Sequence, residues 1–300
     1  MTLQFVPLSL HLGAEVRGVD LSKPASDAAF AELRDAFDTR NLLLFRDQHL
    51  TVEQQLDFSR RWGPLEQHVL KQFTLPGYPE LFVLTNKKDG DKPQGAHKVG
   101  WHWHIDNTYM QRSSLGSLLY AKEIPPAGGD TLFTSLAAAY DGLSDAMKQR
   151  IAEMKAVHSY THVRSIKWPN ERLTEEQKAR VPDIVHPLVR VHPVTGRKVL
   201  YVGEYVIKQF VGMSMEDSRK LLDELNAHAT RPEYVYRHQW RVGDLMFWDN
   251  RATMHCAQPY DDVNHTRLMH TTRIVMDAYA GEIVGDRARA VAGGEPAPIY

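Results

Sequence analysis

Cysteine is nearly absent from this chain of 300 residues, in which Cys256 is the only one. A single thiol cannot form an internal disulfide, and a cysteine-poor chain of this size fits a reducing compartment such as the cytoplasm. It also argues against a closed structural zinc site, because such sites usually take four ligands and commonly use thiolates. The sequence therefore does not belong to the class of disulfide-stabilised scaffolds.

An excess of charge of either sign is missing too. Lys and Arg total 36 and Asp and Glu total 37, so the composition gives no sign of nucleic acid or a membrane surface as the main partner. The first residues lack the basic start and apolar stretch of a secretory signal. No apolar run approaches the roughly 20 residues that cross a bilayer. We therefore expect a soluble cytoplasmic protein.

What the chain does have is an ordinary globular composition, with 43% hydrophobic and 24% charged residues. We expect a single domain over residues 1–300, with insertions. Histidine is the one outlier, at 15 residues. Most histidines have structural or surface roles, so their number matters less than whether a few of them stand at the spacing of metal ligands.

Capping residues mark the beginnings of four predicted helices. Ser26 precedes apolar residues at helical spacing, which predicts a helix through about Arg40. Residues 51–54 resemble a capping box and predict a second helix. Ser144 and Ser214 each precede a further segment with an apolar face. These helices account for only part of the chain.

Short apolar runs of strand length fill much of the remainder, separated by Gly, Pro and Asp. They cover residues 81–84, 117–120, 131–134, 188–191, 199–202, 234–238, 245–248 and 267–276. Because they do not alternate regularly with helices, the pattern favours an α+β fold. We expect a distorted jelly-roll (double-stranded β-helix) core of two facing sheets with flanking helices.

Two polar stretches are predicted to lie outside this core. Residues 86–98 contain several glycines and a proline just before the most distinctive motif. They form either a mobile active-site loop or a plain solvated connection. Residues 291–300 are rich in Gly, Ala and Pro and are expected to be a loosely ordered tail.

A candidate metal site begins at His104 and Asp106, which stand two residues apart. In an extended strand such residues point to the same face, so both could reach one ion. Much further along, His255 supplies a second imidazole. Two imidazoles and one carboxylate leave open positions on a metal, as non-haem iron(II) and oxygen chemistry require. Spacing alone leaves a core or surface role open, and His102 also stands at ligand spacing from His104.

Five segments in a fixed order remove much of that ambiguity. They are residues 12–21, 58–65, 103–106, 126–131, and 248–251 followed by His255. Together they resemble the taurine dioxygenase and 2,4-dichlorophenoxyacetate dioxygenase (TauD/TfdA) family over nearly the whole chain. The resemblance implies that His104, Asp106 and His255 are the metal ligands, which places His102 beside them or in the pocket wall.

The resemblance also implies a set of cofactors and groups that bind them. The metal is expected to be Fe(II), with 2-oxoglutarate as cosubstrate and O2 as oxidant. Arg267 stands close to where the family has the arginine for the distal carboxylate of 2-oxoglutarate, and Thr131 matches the hydroxyl that shares it. A guanidinium suits that task because it forms paired hydrogen bonds to a carboxylate.

Substrate recognition is assigned by the same resemblance to Arg273 and His68. A second arginine in this region often receives the substrate's sulfonate or carboxylate, although taurine dioxygenase has it four residues after the first, where this chain has Thr271. Gly100 is another departure, since related sequences commonly carry Asn there. The tryptophans at 101 and 103 make the site more aromatic than taurine requires, unless they belong to the core.

The expected activity is therefore hydroxylation of a small organic anion, such as an aryloxyalkanoate, an aromatic acid or a sulfonate. Bond cleavage follows when the hydroxylated carbon bears a heteroatom. The family is often dimeric or tetrameric, so a homo-oligomer is expected. Two other classes stay open, a metal-dependent hydrolase in which a bound water reacts and a non-catalytic binding protein on the same core.

Overall fold

The computed structural model of the chain describes residues 2–68, 70–170, 173–280 and 282–283. Its helices are α1 Asp27–Arg40, α2 Val52–Arg60, α3 Leu136–Asp141, α4 Asp145–Ile151, α5 Tyr160–Lys167, α6 Glu175–Arg180 and α7 Met215–Ala229. Its strands are β1 Gln4–Pro7, β2 Ala14–Arg17, β3 Leu42–Phe45, β4 Thr74–Leu75, β5 Tyr78–Thr85, β6 Lys88–Asp89, β7 Lys92–Pro93, β8 Arg112–Glu123, β9 Thr131–Ser135, β10 Lys155–His158, β11 Ile184–Pro187, β12 Val189–Val191, β13 Lys198–Leu200, β14 Ile207–Phe210, β15 Val235–His238, β16 Leu245–Asp249, β17 Thr253–Ala257, β18 Leu268–Ala280 and β19 Glu282–Ile283. The predicted tail over residues 291–300 lies outside the described residues.

The four predicted helix beginnings are confirmed. Ser26, Ser144 and Ser214 each cap a helix by accepting a hydrogen bond from a backbone N–H of its first turn. At α2 the capping box is complete, because the Thr51 side chain accepts from the backbone N–H of Gln54 and the Gln54 side chain accepts from that of Thr51. These caps satisfy N–H groups that have no partner within the helix.

Eight strands form the large sheet, in the order β1-β2-β3-β16-β8-β18-β5-β4. All neighbours are antiparallel except β2 and β3. A smaller sheet has the order β15-β9-β17. Each predicted apolar run overlaps one of the observed strands. The fold therefore mixes helices with mainly antiparallel sheets.

The large sheet is covered on both faces, and β3 shows why its sequence is apolar throughout. Leu42 and Leu44 pack in one cluster with Phe133 of β9, whereas Leu43 and Phe45 pack in another with Phe37 of α1. Successive side chains of a strand point to opposite faces, so a strand buried on both sides needs an unbroken apolar run. The first cluster joins the two sheets, and the second fixes the helices to the outside.

The segment over residues 101–106 differs from its prediction. It was expected to be an extended strand, but it pairs with another strand only at His104, through an isolated bridge to His255, and Asp106 already belongs to a turn. Apart from the bridge at His104, the main chain of this segment therefore does not form the regular hydrogen-bond ladder of a strand. Residues 86–98 contain the small hairpin of β6 and β7. None of the helices described is long and apolar enough to cross a membrane.

Candidate active site

His104, Asp106 and His255 meet between the two sheets. Their candidate ligand atoms all lie within 4.8 Å of one another. Nε2 of His104 is 3.7 Å from Oδ1 of Asp106, and Nε2 of His255 is 3.9 Å from Oδ2. The main chain enforces this approach, since His104 N–H donates to the His255 carbonyl at 2.9 Å and His255 N–H donates back at 2.8 Å. The structure thus brings together the three residues that the sequence singled out.

The two imidazoles are held with nitrogen lone pairs available. Nδ1 of His104 lies 2.8 Å from the carbonyl oxygen of His102, which can only accept, so Nδ1 carries the proton and Nε2 is free. Burial, together with the neighbouring His104 ring, lowers the pKa of His255 to about 3. Neutral imidazoles with an unprotonated Nε2 are the form that binds metals.

Asp106 is oriented by a chain of hydrogen bonds that starts on two neighbouring strands. The Ser117 hydroxyl of β8 donates to Oδ2 of Asp106 at 2.7 Å and accepts from the Asn250 amide at 2.9 Å. The indole N–H of Trp248 fixes Asn250 in turn, at 3.1 Å. Burial alone would raise the pKa of Asp106, but the charge of Arg273, followed by the two histidines, holds it well below its usual range. Asp106 is therefore an ionised carboxylate with a fixed direction.

A second cluster of acids and a histidine has a different character. Asp38, His192 and Asp249 also lie close enough together to hold an ion. However, the guanidinium of Arg251 donates to both oxygens of Asp249, at 2.8 and 2.7 Å, and also to Asp38. A cation of the protein already occupies the space between these carboxylates, so this cluster is a buried ion-pair network.

A cavity of about 480 Å³ opens beside His104, Asp106 and His255. All of the residues predicted to bind cosubstrate or substrate line it, namely Thr131, Arg267, Arg273 and His68. His102 also lines it, with its ring 4.9 Å from that of His104. Its pKa is lowered to about 2, chiefly by burial and then by His104. His102 is accordingly a neutral part of the wall.

Arg267 is a buried cation without an acidic partner among the described residues. Its Nε is shielded from solvent and makes no hydrogen bond, and burial lowers its pKa to about 10. Gly129 borders the side chain, since a Cβ there would lie 3.4 Å from Cδ and Nε of Arg267. A buried guanidinium that faces a cavity in this state is suited to an anionic ligand.

Thr131 lies on the same wall as Arg267 and has its hydroxyl poised to donate. The indole N–H of Trp240 donates to Oγ1 of Thr131 at 2.9 Å. Because that bond uses a lone pair of the oxygen, the hydroxyl proton remains available to a group in the cavity. Thr131 and Arg267 together offer several donors and no negative charge.

Arg273 and His68 also line the cavity, and Arg273 adjoins the metal-ligand cluster. Nη2 of Arg273 is 3.5 Å from Oδ1 of Asp106, whereas its Nε is buried without a hydrogen-bond partner among the described residues. Nδ1 of His68 accepts from the N–H of Leu70 at 3.0 Å, so Nε2 carries the ring proton. Burial, and then the charge of Arg273, hold the pKa of His68 well below its usual value. The pair presents one cation and one neutral donor.

The remaining wall of the cavity is largely aromatic. Its rings belong to Phe73, Phe82, Trp101, Tyr109, Tyr160, Trp168, Trp248 and Tyr260. Trp101 lines the cavity, but Trp103 packs against the hydrophobic core. The alternative that these tryptophans belong to the core therefore holds for Trp103 and not for Trp101. Helix α5, which contributes Tyr160, was not predicted.

Ser117 and Asn250 are the functional candidates that sequence reasoning did not assign. Asn250 stands in a motif that was noticed, and Ser117 is a polar residue at the start of an apolar strand run. Neither pattern indicates which side chain the residue will contact. Chemically, two imidazoles and an ionised carboxylate suit iron(II), and Arg267, which has no acidic partner among the described residues, suits the distal carboxylate of a dicarboxylate cosubstrate.

Comparison with known proteins agrees with this chemistry. The family "Taurine catabolism dioxygenase TauD, TfdA family" matches residues 4–273. The chain is 34% identical over 278 residues to the alpha-ketoglutarate-dependent 2,4-dichlorophenoxyacetate dioxygenase of Cupriavidus pinatubonensis, covering 89% of this chain and 96% of that protein. It is 35% identical over 276 residues to the (S)-phenoxypropionate/alpha-ketoglutarate-dioxygenase of Sphingobium herbicidovorans, covering 90% and 94%.

A solved structure resembles the chain to the same extent. The crystal structure of AAD-2 in complex with Mn(II) and N-oxalylglycine superposes with a TM-score of 0.81 at 33% sequence identity. The match covers 93% of this chain and 100% of that one. Sequence and structure therefore point to the same group of proteins.

Proposed function

Since this chain belongs to the TauD/TfdA family and is an Fe(II)- and 2-oxoglutarate-dependent dioxygenase, we propose that it hydroxylates a small organic anion with an aromatic or apolar body. The observation that carries the proposal is one cavity of about 480 Å³ bordered by the His-Asp-His cluster, two arginines and a largely aromatic wall. No other described cavity combines these features.

In this proposal His104, Asp106 and His255 hold the iron. The donor set fits, because Nδ1–H of His104 donates to the His102 carbonyl and leaves Nε2 for the metal, His255 is neutral and Asp106 is ionised. When bound, iron(II) with 2-oxoglutarate and O2 supplies the oxidising chemistry that converts a C–H bond to an alcohol, with succinate and carbon dioxide as coproducts. The residues of the chain bind and orient the reactants. No side chain has to act as a nucleophile.

Arg267 and Thr131 are proposed to hold the distal carboxylate of 2-oxoglutarate. The support is that Arg267 has no carboxylate partner among the described residues and that Thr131 has a hydroxyl proton to donate. Charge-assisted bonds from a guanidinium are among the stronger hydrogen bonds. Binding of the cosubstrate would thus supply the counterion that this buried cation lacks.

Arg273 and His68 are proposed to bind the anionic end of the substrate. Asp106 would share its negative charge with the metal, which leaves N–H groups of Arg273 for a second anion. Nε2–H of His68 adds a neutral donor on the same side. Anchoring the anion next to the metal ligands would hold a neighbouring carbon of the substrate toward the iron.

The aromatic wall supports an aryloxyalkanoate or aromatic acid above taurine. Rings such as Phe82, Trp101 and Tyr160 offer apolar faces to a flat body. The relatives from Cupriavidus and Sphingobium are named for 2,4-dichlorophenoxyacetate and phenoxypropionate. Hydroxylation of a carbon that bears an ether oxygen would release the aryl group as a phenol.

Three further parts of the proposal, namely the core architecture, the location and the oligomeric state, come from the sequence. The two sheets that share a hydrophobic cluster are interpreted as the distorted jelly-roll core. A cytoplasmic location and a homo-oligomer, dimeric or tetrameric, stay predictions. The alternatives of a metal-dependent hydrolase or a non-catalytic binding protein are not supported, since the relatives from Cupriavidus and Sphingobium are named as alpha-ketoglutarate-dependent dioxygenases.

Anaerobic titration with Fe(II) and 2-oxoglutarate tests the proposal, followed by exposure to oxygen with a panel of acids and their neutral amides. We expect succinate release coupled to consumption of aryloxyalkanoates or aromatic acids. Activity with zinc and without 2-oxoglutarate would instead establish a hydrolase. Equal turnover of acids and amides would contradict the anionic substrate.

A further inference from the structure

We infer that Asn86 is a positioning residue for cosubstrate binding, because its side chain holds the main chain that carries Arg267. The inference rests on the proposed role of Arg267 and extends it to a residue that the sequence comparison did not assign. Asn86 directly follows β5, whose last residue, Thr85, pairs with Leu268 of β18. It therefore stands beside Arg267, at the point where β5 ends and β18 begins.

One carboxamide makes three hydrogen bonds to the loop that leads into Arg267. Nδ2 of Asn86 donates to the carbonyl oxygens of Asp262 and His265, at 2.9 and 2.8 Å. Oδ1 of Asn86 accepts from the N–H of Arg267 at 3.0 Å. Both donor hydrogens and the acceptor are thus used on main-chain groups within six residues of the chain.

The chemistry of this contact requires an amide. A carboxylate of the same shape would have no N–H to offer and would face two carbonyl oxygens with negative charge. A hydroxyl has one hydrogen and cannot serve both carbonyls. Asparagine is therefore the residue of this size that satisfies all three partners at once.

Arg267 depends on this anchor because little else fixes it. Its guanidinium has no carboxylate partner among the described residues, and its Nε makes no hydrogen bond. On the side of Gly129 the arginine side chain meets no other side chain, since only an added Cβ there would lie 3.4 Å from its Cδ and Nε. The position of the main chain at Arg267 therefore bears directly on where the guanidinium can reach, and a shift of about an ångström is enough to spoil paired hydrogen bonds to a carboxylate.

The test is anaerobic calorimetric titration of the Mn(II)-loaded protein with 2-oxoglutarate, for wild type, Asn86→Ala and Asn86→Asp. We expect the Kd for 2-oxoglutarate to rise roughly tenfold in both variants, while the Kd for Mn(II) stays within about twofold. The KM for 2-oxoglutarate should rise in parallel, with kcat at saturating cosubstrate nearly unchanged. A general loss of structure would instead raise the Kd for Mn(II) as well as that for 2-oxoglutarate, and would lower kcat.

Asn264→Ala is the matched control. Asn264 lies on the same loop, but it is exposed and its amide donates to Asp261 rather than to the main chain near Arg267. We expect no change in the Kd for 2-oxoglutarate. If Asn86→Ala does not fold, Asn86→Asp decides, because it keeps the shape and the acceptor and replaces the two N–H donors by a charged oxygen.

Arg267→Ala separates this inference from the proposed function. If Arg267→Ala weakens binding of 2-oxoglutarate and both Asn86 variants bind it as wild type does, Asn86 has no positioning role and only this inference is wrong. If Arg267→Ala leaves the affinity unchanged, the proposed cosubstrate site itself is wrong. A rise in Kd for Asn264→Ala equal to that for Asn86→Ala would also overturn the inference.

Discussion

The hydroxyl of Ser117 donates a 2.7 Å hydrogen bond to Oδ2 of Asp106. Ser117 lies on β8 directly opposite Arg273 of β18 and Trp248 of β16. The central strands of the large sheet therefore hold Oδ2 of Asp106 through Ser117, while Arg273 lies near Oδ1. This arrangement makes the direction of Asp106 a property of the sheet rather than of the turn on which it stands.

Replacing Ser117 should weaken metal binding without unfolding the protein. Ser117→Ala removes the donor to Asp106, and outer partners of metal ligands typically contribute about 10- to 100-fold in affinity. We expect a rise of that size in the Kd for Fe(II) or Mn(II), measured by anaerobic titration. Ser113→Ala is the control, because Ser113 is a buried serine of the same strand whose hydroxyl has no hydrogen-bond partner among the described residues. Equal effects of the two substitutions would contradict the role of Ser117.

Removal of a proposed metal ligand should abolish turnover. His104→Ala, Asp106→Ala and His255→Ala each take away one of three protein ligands, so iron-dependent succinate release should fall to background while circular dichroism stays that of wild type. His102→Ala is the informative comparison, since its ring lies beside that of His104. Near-normal turnover of any of the three variants would contradict its assignment as a metal ligand and would make His102 the next candidate.

Arg267→Ala should raise the requirement for 2-oxoglutarate. Loss of the buried partner of a carboxylate costs about 2 kcal/mol or more, which corresponds to roughly 30-fold or more in affinity. The apparent KM for 2-oxoglutarate at saturating substrate measures this effect. Thr131→Val should act in the same direction with a smaller change. An unaltered KM in Arg267→Ala would mean that another cation holds the distal carboxylate.

Arg273→Ala should act on the substrate instead. We expect kcat/KM for aryloxyalkanoates and aromatic acids to fall strongly, with little change for their neutral amides or alcohols. His68→Gln should reduce the same preference by less, because His68 offers a neutral donor. Arg267→Ala serves as the control, as it should leave the ratio of acid to amide unaltered. Turnover of neutral analogues at the rate of the acids in wild type would rule out an anionic substrate.

Stability should fall in mildly acidic solution because of His158. This residue is fully buried, and burial, followed by the charges of His186 and Arg190, holds its pKa well below the usual value. In the unfolded chain it takes up a proton below about pH 6.5, whereas the folded protein keeps it neutral. The unfolded state then binds more protons, so the free energy of unfolding decreases as the pH falls from about 6.5.

Urea denaturation at several pH values between 7 and 5 measures this dependence. His158→Leu should make the decline shallower by up to about 1.4 kcal/mol per pH unit, the contribution of one proton. His49→Leu, at an exposed position, should leave the slope as it is in wild type. If the slope of His158→Leu equals that of wild type, His158 does not stay neutral in the folded protein.

Features that depend only on neighbouring residues in the chain could be predicted from the sequence. Thr51 and Gln54 specify a helix start within four residues, and β3 shows its double burial as an unbroken apolar run. The three candidate ligands could be named because their motifs are short. The family resemblance is confirmed by the match over residues 4–273.

Contacts between distant segments could not be predicted in this way. Ser117 is an ordinary strand serine until β8 is placed beside Asp106, and nothing near Asn86 in the sequence indicates the loop that it holds. The sequence left open whether Trp101 and Trp103 line the pocket or belong to the core, and the irregular backbone between them sends the two rings to different surroundings. The turn at Asp106 could not be predicted for the same reason. The main chain there is shaped by contacts with distant segments and not by pairing with a neighbouring strand.

His104 and His255 exchange main-chain hydrogen bonds, so their pairing does not depend on the identity of neighbouring side chains. The rest of the cavity wall is not tied to the metal ligands in this way and tolerates more sequence change. The two imidazoles are joined by peptide groups, which substitution by any residue other than proline leaves in place. The aromatic wall comes largely from elements outside that pairing, such as α5. Evolution can therefore exchange those elements to accept new substrates while the oxidising centre is inherited unchanged, and directed evolution of substrate range is best begun at Tyr160 and Trp168.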